Sequence, residues 1–160
     1  MTRRIIKWTR QWGSPDKIIW VDVQKLNRAW ALDRLYFGSV RDKKHKGTRA
    51  KYYRFPWWLQ GFQGLVCMPH VAMTGQEISF TDGRHRFAWL RDHGVVALPV
   101  STSPNQSFVL ARRFGTKARV CVLNRKAFSD WVPWRKGYLN WSPQLEKTRR
   151  RPNRKLIYIK

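Results

Sequence analysis

Residues 78–88 read Ile-Ser-Phe-Thr-Asp-Gly-Arg-His-Arg-Phe-Ala, and they predict a strand that passes through a tight turn into a helix. Alternating apolar residues favour the strand before the turn. Gly83 allows a sharp reversal of the chain and leaves no side chain in the way of a ligand. Asp82 is expected to start the helix, with an N-cap as its simplest role, and Gly94 is expected to end it.

Short extended and helical segments continue on both sides of this stretch. The alternation predicts an α/β (α+β) fold, a small single domain with a mixed sheet flanked by helices. We assign residues 1–16 to a basic N-terminal arm, 17–123 to the domain and 124–160 to a basic, Trp-rich extension. Strands are expected at 17–21, 70–73, 78–81, 97–101 and 119–123, helices at 22–38, 82–94 and 103–115, and a basic loop at 41–54.

Length and composition exclude several classes of protein. The 160 residues allow one domain with tails, and 42% hydrophobic residues are enough for a core. No apolar run approaches the roughly 18 residues of a membrane span, and the N-terminus lacks the apolar segment of a signal peptide. Two cysteines, Cys67 and Cys121, cannot form a disulfide framework or a four-thiolate zinc site, and both are expected to be buried small hydrophobes. We expect a cytoplasmic protein.

The chain carries 33 Lys and Arg against 9 Asp and Glu, a formal net charge of +24. Residues 1–54 contribute +11, residues 55–110 are neutral, and residues 111–160 contribute +13. Such self-repulsion indicates a polyanionic partner, and DNA, single-stranded or duplex, is the expected one. A solubilising basic surface or a ribosome-associated extension remains the alternative. The candidate DNA-binding residues are Lys43, Lys44, Lys46, Arg49, Lys51, Arg54, Trp134, Arg135, Lys136, Arg149, Arg150 and Arg151.

Aromatic residues interleave with the basic ones in the C-terminal segment. Exposed aromatic rings beside Arg or Lys stack on unpaired bases, so the segment around Trp134 is a candidate platform for them. Packing in a core is the alternative for each of these rings. The candidates are Trp57, Trp58, Trp131, Trp134, Tyr138 and Trp141.

The turn after Asp82 has the composition of a phosphate pocket. Amides at the start of a helix favour an anion, and Arg84, His85 and Arg86 add side-chain donors beside them. The turn lacks the G-x-x-x-x-G-K-[ST] pattern of a P-loop. With so few acids, Mg²⁺ would depend on substrate phosphates and on one carboxylate at most, with Asp82 as the candidate.

Each of these residues also has a plain structural alternative. Instead of binding phosphate, His85 could be a surface histidine, and Arg86 could form an ion pair with Asp82 or Asp92. His70 and His93 are expected to be structural or exposed rather than part of the site.

The motif resembles the ParB/sulfiredoxin superfamily over roughly residues 17–102. The matching features are the turn at 82–86, Ala88, Gly94 and Leu98-Pro99-Val100, in the same order and spacing. Residues 21–26 resemble the opening strand and helix start of that superfamily. The resemblance implies the fold given above and a nucleoside triphosphate held at residues 83–86.

Departures from the superfamily pattern separate its branches. Arg84 stands where sulfiredoxin-like members carry a catalytic cysteine, so sulfinic-acid repair is excluded. The chain has no room for the helix-turn-helix and dimerisation domains of partition proteins, and it looks most like plasmid fertility-inhibition factors.

That resemblance implies ATP (or other NTP) hydrolysis with Mg²⁺ and DNA cleavage, with Asp82, Arg84, His85 and Arg86 as catalytic residues. It also implies suppression of conjugative transfer by another plasmid, near the inner face of a type IV secretion channel and its coupling proteins. Two other functions stay open, a non-catalytic nucleic-acid-binding module that clamps phosphate at 83–86 and a small phosphotransferase.

Overall fold

The computed structural model describes residues 3–10, 15–38, 51–52, 55 and 65–124. These residues form strands and helices in the alternating order expected from the sequence. The strands are β1 (Arg3–Ile5), β2 (Lys7–Thr9), β3 (Lys17–Asp22), β4 (Leu65–Cys67), β5 (His70–Thr74), β6 (Glu77–Asp82), β7 (Ala97–Thr102) and β8 (Val122–Asn124), and the helices are α1 (Val23–Trp30), α2 (Arg84–Asp92) and α3 (Pro104–Phe114).

A four-stranded mixed sheet forms the centre of the domain, in the order β3-β7-β5-β6. β3 and β7 are antiparallel over six residue pairs, from Lys17 opposite Thr102 to Asp22 opposite Ala97. β7 and β5 are parallel where His70 faces Ser101, and β5 and β6 form an antiparallel hairpin. The prediction of a mixed sheet flanked by helices is confirmed.

This sheet order brings the start of β3, the start of β5, the end of β6 and the end of β7 to one edge. α2 begins at Arg84, two residues after Asp82, where β6 ends, and α3 begins at Pro104, two residues after Thr102, where β7 ends. Two helix N-termini therefore lie at the same edge of the sheet. Two further strand pairs complete the described fold, β1 with β8 antiparallel and β2 with β4 parallel.

α1 shows how far local sequence determines a helix. The helix starts where the predicted range 22–38 begins, because the Asp22 carboxylate accepts a hydrogen bond from the Lys25 amide at 2.9 Å and caps the N-terminus. The helix ends at Trp30, so the prediction that it continues to Gly38 is wrong. Asp33 explains the early end, because its carboxylate captures the Leu35 amide at 2.9 Å and stabilises a turn instead.

Aromatic rings join the helices to the sheet. Trp30 is fully buried and meets three rings edge-on, those of Tyr36 at 4.9 Å, Phe80 at 4.7 Å and Phe87 at 5.7 Å between centroids. Edge-to-face contacts of this kind add about 0.5–1.5 kcal/mol each to simple burial. α1, β6 and α2 therefore share one aromatic cluster.

Other predicted boundaries differ by a few residues. α2 starts at Arg84 instead of Asp82, because Gly83 occupies the N-cap position in a left-handed conformation. α3 agrees with the predicted range 103–115, with Ser103 as its N-cap, Pro104 in its first turn and Gly115 as its C-cap. The last strand is shifted from 119–123 to Val122–Asn124, where it pairs with β1.

The cysteines are free thiols. Cys121 is buried, as predicted, and this burial raises the pKa of its thiol to about 12, so it is protonated and unreactive at neutral pH. Cys67 is only partly buried. Among the described residues no helix is long and apolar enough to cross a membrane.

Arg91 is a buried arginine, with 8% of its surface exposed, that forms hydrogen bonds to several parts of the fold. Its guanidinium donates to Asn27 Oδ1 at 2.8 Å, to the Gly38 carbonyl at 2.8 Å and to Asp92 Oδ1 at 2.8 Å. It also lies over the Tyr36 ring, 5.7 Å from the centroid. One side chain thus joins α2 to α1 and to the turn that follows α1.

We expect Arg91→Met to lower the free energy of unfolding by about 3 kcal/mol, because buried acceptors then lose their donor. Urea denaturation followed by circular dichroism measures this. Arg112→Met is the matched control, since Arg112 is an exposed helical arginine, and it should change stability by less than about 0.5 kcal/mol. Equal effects of the two substitutions would show that Arg91 does not connect the helices.

Candidate functional site

The junction between β6 and α2 contains every residue of the predicted phosphate turn. Asp82 ends β6, Gly83 is the N-cap and Arg84 is the first residue of α2. The expectation that Asp82 is the N-cap is wrong, because the turn needs a residue with positive φ at that position. Gly83 supplies it, with φ of 80°.

Close packing is the second reason for glycine at position 83. A Cβ atom added there would lie 2.8 Å from Pro69 Cα, 3.0 Å from Pro69 Cβ and 2.8 Å from Arg86 Nη2. The space expected to be open for a ligand at Gly83 is therefore filled by protein. Gly83 allows β6 and α2 to pack against the residue that precedes β5.

Arg86 and Asp82 form an ion pair across one helical turn. Arg86 Nη2 lies 2.5 Å from Asp82 Oδ2, and the side chains are 20% and 42% exposed. This confirms the structural alternative for Arg86, with Asp82 as its partner rather than Asp92. The Asp92 carboxylate instead accepts hydrogen bonds from Tyr52 Oη and Arg91 Nε, each at 2.8 Å.

His85 points into the core. It is buried, and its ring meets the Phe37 ring edge-on at 5.6 Å between centroids. The alternative of a surface histidine is wrong. The His85 side chain therefore lies beneath the turn and is shielded from solvent. Its backbone amide lies in the first turn of α2, together with the amides of Arg84 and Arg86.

Arg84 is the cation that this junction leaves available. Its side chain is partly exposed, and within the described part of the chain it makes no ion pair or hydrogen bond. It is the first residue of α2, where amides without intrahelical acceptors and the helix dipole favour an anion. Because Asp82 is already paired with Arg86, the junction presents positive charge to an incoming group.

The described residues offer little for a metal ion. Within them no group of three or more His, Cys, Asp or Glu could hold one. The candidate ligand Asp82 is engaged by Arg86. A Mg²⁺ ion at this junction would therefore need phosphate oxygens of a substrate for most of its coordination.

Two other histidines of the described part of the chain, His70 and His93, make defined contacts. His93 Nδ1 lies 2.7 Å from the Trp89 carbonyl oxygen and its ring stacks on Trp89 at 3.8 Å. His70 contacts Asp16 and Thr81 at the same sheet edge as the junction. His93 fits the structural role expected of it, whereas His70 makes two side-chain contacts that the sequence does not signal, because they depend on strand order and on a register shift.

The candidate DNA-binding residues lie largely outside the described residues. Lys51 is described and exposed. Lys43, Lys44, Lys46, Arg49, Arg54, Trp134, Arg135, Lys136, Arg149, Arg150 and Arg151 fall in the other segments, as do the predicted extension after Asn124 and the candidate rings Trp57, Trp58, Trp131, Tyr138 and Trp141.

Comparison with known proteins gives one family. The model of the family described as Plasmid Fertility inhibition factor matches residues 18–115, which include the whole β6–α2 junction. Among solved structures, the chain is similar to the gold(I) cyanide derivative of Oncogenic Suppression Activity Protein, a plasmid fertility inhibition factor. That similarity has a TM-score of 0.45 and 25% sequence identity over 76% of this chain and 65% of that one, less than two thirds of its length. No curated protein matches the sequence.

Substitutions at two glycines with positive φ separate backbone strain from packing. Gly75, with φ of 60°, has nothing within 4 Å of an added Cβ, so Gly75→Ala should cost only the left-handed strain of about 1–2 kcal/mol. Gly83→Ala should cost a further 1–3 kcal/mol, roughly, for the overlap with Pro69. Thermal or urea unfolding of both variants checks this, and equal losses would refute the packing role of Gly83.

Proposed function

Because the chain belongs to the plasmid fertility inhibition factor family, we propose that it suppresses conjugative DNA transfer by another plasmid. In this proposal it binds a nucleoside triphosphate at the β6–α2 junction and DNA over its basic flanks, and it hydrolyses both. It would act in the cytoplasm, at the inner face of a type IV secretion channel and its coupling proteins. The family match over the junction is the observation that carries the proposal.

The nucleotide part of the proposal is supported by the charge distribution at the junction. Arg84 makes no ion pair or hydrogen bond within the described residues, and it lies in the first turn of α2, where backbone amides have no intrahelical acceptors; a triphosphate supplies acceptors and negative charge. Arg86 and Asp82 support the turn as an ion pair. Mg²⁺ would enter with the nucleotide, held by phosphate oxygens, and would neutralise charge on the transferring group.

Hydrolysis of a phosphate ester at this junction would depend on stabilising charge. In this proposal Arg84 would offset the negative charge that develops on the phosphoryl oxygens, which is the main task of a protein in phosphoryl transfer. Asp82 is engaged by Arg86, so a separate group must accept the proton of the attacking water. ATP and DNA phosphodiesters would share this requirement.

The DNA part of the proposal is supported by the separation of charge along the chain. The neutral segment 55–110 contains the junction, whereas 30 of the 33 Lys and Arg lie outside it. Phosphate contacts from such flanks give strong, largely sequence-independent binding. Nucleotide and DNA would therefore be bound by different parts of the protein.

We expect Arg84→Gln to weaken ATP binding by about 10- to 100-fold, the equivalent of one or two charge-assisted hydrogen bonds. Isothermal titration calorimetry with ATP and, as a comparison ligand, inorganic phosphate measures this. Arg112→Gln, at the other end of α3 from the junction edge, is the matched control and should leave affinity unchanged. If Arg84→Gln reduces DNA and ATP binding in parallel, the junction is a DNA phosphate clamp and the non-catalytic module is the correct function.

The same pair of variants tests the biological role. A donor cell that expresses the chain beside a conjugative plasmid should show a lower transfer frequency than a donor without it. Arg84→Gln should restore transfer and Arg112→Gln should not. Unchanged transfer with the wild-type chain, at verified expression, would refute the proposal.

DNA binding should be steeply salt-dependent. The logarithm of affinity for a duplex should fall against the logarithm of salt concentration with a slope of about 0.9 for each phosphate neutralised. Fluorescence anisotropy with duplexes of unrelated sequence checks this, and the sequences should differ little. A flat dependence on salt would contradict binding through the basic flanks.

A further inference from the structure

Three chemically active side chains meet at the sheet edge beside the β6–α2 junction. His70, the first residue of β5, lies with Nε2 3.2 Å from Oδ2 of Asp16, which directly precedes β3. The other ring nitrogen, Nδ1, contacts Oγ1 of Thr81 in β6. None of the three belongs to the phosphate turn described above.

The carboxylate determines which ring nitrogen carries the proton. A carboxylate only accepts, so Nε2–H donates to Asp16, and in the neutral imidazole Nδ1 then accepts from the Thr81 hydroxyl. The other contact of that hydroxyl, with the His70 carbonyl oxygen, is longer at 3.4 Å. An acid, an imidazole and a hydroxyl in this order form the arrangement that activates a hydroxyl as a nucleophile.

A β-bulge aims Thr81 at the imidazole. His70 pairs with Asp82 and Val71 pairs with Phe80, so Thr81 is an extra residue between two consecutive pairs of the ladder. Bulges of this kind re-aim side chains and are frequent beside active sites. The bulge is an observation independent of the hydrogen bonds, and it points to the same residue.

Exposure increases along the relay from acid to nucleophile. The Asp16 side chain is 13% exposed, the His70 side chain is 20% exposed, and Thr81 is exposed. The base and its orienting carboxylate are therefore fixed in the protein, while the hydroxyl is open to a substrate.

We propose that Thr81 is a nucleophile that accepts a phosphoryl group, with His70 as its general base and Asp16 as the residue that orients the base. The phosphoryl class follows from Arg84 and the α2 amides, which begin three residues after Thr81 and favour an anion. With a nucleoside triphosphate as the donor, this inference rests on the proposed function. With a neutral phosphoryl reagent as the donor, the inference does not depend on the proposed function.

The step balances in atoms and electrons. Thr81 Oγ1 forms a bond to phosphorus, and the bond from phosphorus to the leaving group breaks, with its electron pair going to that group. For a nucleoside triphosphate the leaving group is the nucleoside diphosphate. The hydroxyl proton moves to His70 Nδ1, and the imidazolium is stabilised by Asp16 through Nε2–H. The products are phosphothreonine at position 81, the diphosphate and a proton that His70 returns to solvent.

Diisopropyl fluorophosphate tests the nucleophile without any nucleotide. The reagent phosphorylates an activated hydroxyl and expels fluoride, so the full-length chain should gain one diisopropylphosphoryl group, mapped to Thr81 by peptide mass spectrometry. Thr81→Val keeps the shape and removes the hydroxyl, so it should lose this adduct, whereas Thr81→Ser should keep it. His70→Gln should slow labelling by about 100-fold, the smaller end of what a general base contributes.

Asp16→Asn guards against a variant that fails to fold, since it keeps the size and a polar contact at position 16 while it removes the charge. It should slow labelling while circular dichroism and the unfolding midpoint stay near wild type. Absence of an adduct on Thr81 in the wild-type chain, or an unchanged rate in folded His70→Gln or Asp16→Asn, overturns the proposal.

A parallel incubation with ATP labelled at the γ-phosphate separates this proposal from the proposed function. Labelled phosphothreonine at position 81 supports both. Diisopropylphosphoryl labelling of Thr81 in a chain that does not bind ATP supports the relay and refutes the nucleotide site. ATP hydrolysis without an adduct on Thr81 from either reagent supports the nucleotide site and overturns the relay.

Discussion

The close approach of Gly83 to Pro69 is the constraint on which the described site depends. Pro69 is itself fixed, because its carbonyl accepts the Ser101 amide of β7 at 2.9 Å. Gly83 packs on the Cα of Pro69 and turns the chain from β6 into α2. His70 follows Pro69 and Thr81 lies two residues before Gly83, so this contact lies next to the paired ends of β5 and β6 where the two side chains meet. A side chain at position 83 would overlap Pro69, so the turn or Pro69 would have to shift.

Local sequence signals predict most of the helices and strands, but they predict the residues at which these elements end less often. The hairpin around Gly75 and the helix between Pro104 and Gly115 follow from turn and capping residues that act over two or three positions. The end of α1 does not, because Asp33 competes for a backbone amide and Phe37 is buried without being helical. The apolar pattern is the same whether the helix continues to Phe37 or ends at Trp30 and a turn brings Phe37 back to the core. Periodicity alone therefore cannot distinguish the two.

The candidate site also has a part that the sequence predicts and a part that it does not. Arg84 and the turn are predictable, because they are contiguous and their chemistry follows from residue type. The burial of His85 is not, since the sequence does not reveal that Phe37 covers it. The contact between His70 and Thr81 needs a bulge in the β5–β6 ladder, and the contact with Asp16 needs β3, β7 and β5 in that order. Turn length and apolar pattern fix the register of a hairpin only up to such a bulge, and strand order is a tertiary property, so the spacing of residues along the chain predicts neither contact.

In the proposed function, the distribution of charge along the chain lets one small protein bind nucleotide and DNA differently. At physiological ionic strength, interactions between exposed charges fade over about 8 Å, so a basic residue adds to the field at the junction only where it lies close to it. The junction has its own balance, in which Asp82 is paired with Arg86 while Arg84 is left available. In that proposal, the affinity of the flanks for DNA would depend on how many phosphates they contact, whereas the affinity of the junction for nucleotide would depend on one cation and a few oriented amides. A single substitution at Arg84 would therefore remove a large share of nucleotide binding at the junction and only a small share of the total charge that attracts DNA.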